Sequence, residues 1–141
     1  MARDINLLQE TRLVTMSAKA GEDFDQLSEN EAPYYIGVQL DGDNEVETPT
    51  ATEKPDGYII PRALEGEQVT VVIDGIIPVK TADANATGLS AGDYFELTAD
   101  GKARTIQVGS EAAGIARFGA TANGDVISAR VSDLIVHEEE E

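Results

Sequence analysis

No window of a dozen residues in this chain holds the 3.6-residue apolar period of a helix without a glycine or a polar break, which restricts it to short strands. The apolar runs are brief and β-prone: YYIGVQL at 34–40, YII at 58–60, QVTVVI at 68–73 and IIPV at 76–79, then YFELTA at 94–99 and a partly alternating stretch over 126–136. Between them stand Asp74-Gly75, Asp100-Gly101 and Asn123-Gly124, dipeptides whose ready access to positive φ suits tight turns. Short strands punctuated in this way are the pattern of a sandwich or small barrel, and the fold class read from them is all-β.

Local expectations follow from the same signals. Asp100-Gly101 reads as a hairpin turn; a two-residue type I′ turn would set Phe95 opposite Ile106 and Leu97 opposite Arg104, with the arginine stem over Leu97. Asp74-Gly75 reads as a second hairpin, with a bulge or bend at Gly75 as the alternative. Pro78 argues against a central, fully paired second strand there. Phe24 and Leu27, three apart, suit one helical turn against the core. Residues 41–45 read as a loop, the Thr- and Pro-bearing stretch 47–57 as an irregular connection or an edge strand, and 81–92 as a loop of small residues. Residues 1–20 fit two readings: a first strand near 12–17 behind a loose tail, or an extended arm that becomes ordered against a neighbour.

The length of 141 residues suits one domain with one core. With three Phe, four Tyr and no Trp, that core must be built from aliphatic residues and alanine. Ten Lys plus Arg stand against 27 Asp plus Glu, a formal charge of −17. Phosphate backbones and anionic membranes both require basic surface, so neither nucleic acid nor membrane is an expected partner. Cysteine is absent, which removes disulfides, thiolate catalysis and cysteine-ligated metals. The first twenty residues have no apolar stretch of signal-peptide character, so export is not expected.

The chain offers little chemistry. His137, the single histidine, adjoins the terminal carboxylates Glu138 to Glu141 and is poorly placed for a metal or a triad. Asp41, Asp43 and Glu45 faintly resemble a calcium loop, but the sixth and twelfth positions are Val46 and Thr52, where glycine and glutamate belong. No phosphate-binding glycine motif occurs. A non-enzymatic protein without cofactor or metal is expected.

Taken in order, AGEDF (20–24), YYIGVQLDGD (34–43), DGYII (56–60), EGEQVTVVIDGIIPV (65–79), LSAGDYFELTADGKA (89–103) and AAGIARFGATANGDVISARV (112–131) form a characteristic series. It resembles the family of tailed-phage capsid decoration, or cement, proteins. The likeness covers roughly residues 19–136. It implies a small β-barrel or β-tulip-like domain, without activity or cofactor, that sits as a homotrimer on the outer surface of an icosahedral virion and stabilises the head by binding the major capsid protein. The chain departs from the family in its Thr-rich residues 48–56 and its HEEEE tail. On this reading residues 1–18 are an N-terminal arm or first strand, 19–137 the β domain and 138–141 an acidic tail. The expected capsid contacts lie in residues 1–15: Arg3, Ile5, Leu7, Leu8 and Arg12, apolar side chains without internal periodicity beside the two cations of that segment. The competing reading is a carbohydrate- or ligand-binding β domain, with Tyr34, Tyr35, Tyr58 and Tyr94 as its candidate platform.

Overall fold

The computed structural model describes residues 13–27, 30–51, 53–106 and 111–132. They form an all-β domain of short strands in one mixed sheet, with no helix among the described residues. The strands are β1 (Val14–Ala20), β2 (Ile36–Leu40), β3 (Glu45–Glu47), β4 (Gly57–Ile59), β5 (Gln68–Lys80), β6 (Tyr94–Leu97), β7 (Ala103–Thr105), β8 (Gly114–Ala116) and β9 (Val126–Val131). Their order across the sheet is β1-β3-β2-β4-β5-β9-β8-β6-β7, and β1 also pairs with β5. The run β1-β3-β2-β4-β5 therefore returns on itself. Only the β1–β3 contact, Lys19 with Glu45 and Ala20 with Val46, is parallel among the strand pairs.

β5 organises the molecule. Its first half pairs with β1, Thr15 facing Val72 through Lys19 facing Gln68; its second half pairs with β9, Gly75 facing Val131 through Lys80 facing Val126. The expected Asp74-Gly75 hairpin does not form. The two apolar runs make one 13-residue strand because each finds its own distant partner, and a type I′ turn would need positive φ at both residues. Only Gly75 has it, at 143°, beside a register shift between Val14 and Thr15. The strand runs on through Gly75, which pairs with Val131, and the irregularity against β1 falls at Ile73, left unpaired between Val72 and Asp74.

Pro78 is tolerated for a local reason. Tyr35 N–H donates to Pro78 O (2.8 Å) and Lys80 N–H donates to Tyr35 O (3.2 Å), so Pro78 turns its nitrogen toward an isolated bridge and away from β9. The missing donor falls where the ladder does not ask for one.

Two apolar clusters lie on either side of this strand. Ala18, Phe24, Ile36, Val38, Val46, Ile59 and Val71 belong to one; Tyr58, Val72, Ile77, Phe95, Leu97 and Ala129 belong to the other. Val71 and Val72 are consecutive, point to opposite faces of β5 and are 0% and 1% exposed, so one strand is sealed by both clusters. The expected helical turn at Phe24 and Leu27 is absent. Phe24 instead forms a two-hydrogen-bond bridge with Ala63 (2.7 and 2.9 Å), and both side chains are buried from extended backbone.

The β6–β7 hairpin forms one residue out of the expected register: Phe95 faces Thr105, Glu96 faces Arg104 and Leu97 faces Ala103. The loop has three residues, closed by Thr98 N–H to Lys102 O (2.9 Å) and Gly101 N–H to Thr98 O (2.9 Å). Gly101 takes the left-handed conformation (φ 79°) and Asp100 does not, which selects this loop over type I′. A one-residue slip moves every side chain to the other face. Phe95 is fully buried with Thr105 opposite, Ile106 lies half-buried on the opposite side, and Arg104 meets Glu96 where Leu97 was expected.

Candidate functional site

The tight β2–β3 turn collects the most carboxylates. Asp41 Oδ1 accepts from the N–H groups of Asp43 (2.8 Å) and Glu45 (3.1 Å), while Asn44 sits at φ 62°. One ligand oxygen each from Asp41, Asp43 and Glu45 falls within 4.8 Å of the others. The hydrogen bonds account for this convergence: an aspartate that caps its own turn draws the next carboxylates inward. Val46, at the position a calcium loop gives to glycine, is fully buried in the core.

The second polar cluster is inside the molecule. Arg104 Nε lies 2.7 Å from Glu96 Oε2; the glutamate side chain is 0% exposed and the arginine 24%. The pair crosses the β6–β7 ladder at the directly opposed positions and favours that register, since a slip would part the buried carboxylate from its cation.

The four tyrosines do not form a common platform. Tyr58 is buried, and its Oη donates to Ala113 O (2.9 Å). Burial holds its phenol above the ordinary range, so it stays protonated. Tyr34 is buried beneath Lys80, whose Nζ stands 5.2 Å from the ring centroid; desolvation, then the charge of Glu31, raises its pKa. Tyr35 and Tyr94 are half-buried and line different clefts, of about 340 and 290 Å³.

A third cleft, of about 200 Å³, is lined by Phe24, Asp25, Leu27, Arg62, Ala63, Leu64 and Glu67. Leu64 stands at its edge, 58% exposed. On the other half of the sheet Phe118 is 65% exposed and Val126 45%. The sequence did not signal these exposed apolar side chains, because Leu64 and Phe118 lie outside the strands and Val126 stands at the start of β9, where alternation is least informative.

Arg3, Ile5, Leu7, Leu8 and Arg12, the expected capsid contacts, lie outside the described residues, as do His137 and the terminal glutamates. No protein-family model matches the chain, and no curated protein matches it either.

Proposed function

We propose that this chain is a structural protein that decorates an icosahedral bacteriophage head, binding the shell of major capsid protein from outside as a homotrimer and reinforcing it. The observation that carries the reading is the ordered motif series. Its segments lie along the chain where β1 ends, where β2, β4 and β5 run, and where the β6–β7 and β8–β9 units lie. The finer architecture belongs to the same proposal: the closed run β1-β3-β2-β4-β5 is a small barrel, extended by the strands beyond β5. A compact β module of this kind stiffens a shell by bridging subunits, and many weak contacts repeated over a closed lattice act together.

The test is direct. Undecorated heads assembled from a major capsid protein of the same source as this chain are mixed with purified protein and sedimented. Saturable co-sedimentation and a raised disruption temperature of the heads are expected. Heads that pellet without the protein at every concentration overturn the reading.

A further inference from the structure

The outer face of β8 and β9 gathers cations in a chain of the opposite sign. The ladders set Ile76 of β5, Arg130 of β9, Ile115 of β8 and Tyr94 of β6 directly opposite one another, a row of side chains across four strands. Their strand neighbours Ile77, Ala129 and Ala116 are buried, so the row lies on the outward face. Ile76, Ile115 and Tyr94 are half-buried there and Arg130 is exposed. Arg117, two residues beyond Ile115, shares the face: it is exposed, and its N–H donates to Ser128 O (2.8 Å), which sets it diagonally across from Arg130. Neither guanidinium forms a salt bridge with another described residue. No carboxylate occupies an outward position of β8 or β9, although the chain holds 27 Asp plus Glu against ten Lys plus Arg.

What covers such a face must offer carboxylates and apolar side chains together. Residues 133–141, DLIVHEEEE, follow directly on β9 and carry both: Leu134, Ile135 and Val136, then Glu138 to Glu141. Connectivity keeps them close. The point of departure is Ser132, whose hydroxyl donates to Asp74 Oδ2 (2.9 Å). It stands two residues past Arg130 and four past Ser128, roughly 14 Å along the strand from the position beside Arg117. Glu138 follows Ser132 by six residues, a reach of at most about 21 Å, and Glu141 reaches further, so the glutamates can meet both arginines. A short tether of this kind gives an effective concentration on the order of millimolar. We infer that residues 133–141 dock back on the outer face of β8 and β9, the apolar side chains against the row of Ile76 and Ile115 and the glutamates against Arg117 and Arg130. So placed, the segment is an internal competitor: an acidic partner binds this face by displacing it. The docking does not depend on decoration of a head.

The chain has no cysteine, so one introduced thiol carries a single spin label. In the full chain, a nitroxide at Glu139→Cys is expected to suppress the amide NMR signals of Ile115, Arg117, Ser128 and Arg130, while those of β3 keep their intensity. Arg117→Glu/Arg130→Glu should restore the suppressed signals. So should Glu138→Gln/Glu140→Gln/Glu141→Gln in the labelled chain, which leaves every described residue unchanged. Added salt should restore them in part, because exposed charge pairs are screened. A mixed sample identifies the occupant: the nitroxide sits on chains without isotope, and the signals are read from isotope-labelled chains without nitroxide. Suppression that persists in this mixture assigns the face to a second copy and overturns the inference. Suppression that is absent, spread evenly over the sheet or unmoved by both charge changes overturns it as well.

Discussion

At the scale of single residues, Gly101 holds two parts of the sheet together. Its carbonyl accepts from Gly37 N–H (2.9 Å), tying the β6–β7 turn to β2, and a β-carbon at Gly101 would collide with the Gly37 carbonyl. Gly101→Ala should therefore cost well over 1 kcal/mol, roughly, in a urea melt. Gly66→Ala, at φ 88° with nothing near the added carbon, should cost only about 1 kcal/mol, for its backbone alone. Arg104→Ala removes the ion-pair partner of the buried Glu96 carboxylate and should destabilise by about 2–3 kcal/mol, just under the usual cost of breaking a buried pair because the arginine is partly solvated. Lys102→Ala beside it should stay within roughly 0.5 kcal/mol. Asp125 reports on pH. The Thr121 hydroxyl, then the N–H groups of Ala122 and Thr121, hold its carboxyl below the ordinary range. That stabilisation is complete above the unfolded carboxylate range and is lost as pH falls through the folded value. Asp125→Asn abolishes this titration, so its urea midpoint should drop less than that of the parent between about pH 6 and pH 3.

At the scale of elements, the β-branched composition of residues 68–79 was enough to place strand there, but not to say that it is one strand. An Asp-Gly pair offers a turn; whether the chain takes it depends on what each flanking run can pair with, and those partners lie far away in sequence at β1 and β9. The β6–β7 register failed for a smaller reason, the sign of φ at Asp100, which no pattern of apolar residues encodes. The acidic turn was visible in Asp41, Asp43 and Glu45, yet the hydrogen bonds that explain it belong to the folded backbone. The exposure of Leu64 and Phe118 carried no signal because both lie outside the strands, where apolar periodicity has no inward face to mark. Since β5 is sealed on both faces and paired on both flanks, its amides near Val71 and Val72 should exchange with deuterium more slowly than those of β3 or β7. Exchange mapped by NMR, with β5 protected no better than the short strands β3 and β7, would contradict this.

At the scale of the whole molecule, Val71 and Val72 join the two apolar clusters through consecutive residues, so neither cluster can melt without exposing the shared strand. Ile59→Ala in one cluster and Ile77→Ala in the other should each cost about 2–5 kcal/mol. Both should displace a single unfolding transition, seen alike by far-ultraviolet circular dichroism and tyrosine fluorescence; two separable steps would show that the clusters are independent. The position of β5 at the junction also dictates when this chain can fold during its own synthesis. β1 leaves the ribosome long before β5 exists to receive it, and the second half of β5 must wait until β9 has been made. At roughly 5–20 residues per second, the nascent chain spends seconds with its longest apolar strand half-partnered. The −17 charge, repelling other unfinished copies over that interval, then protects the polypeptide at the birth of the protein as much as it solubilises the finished fold.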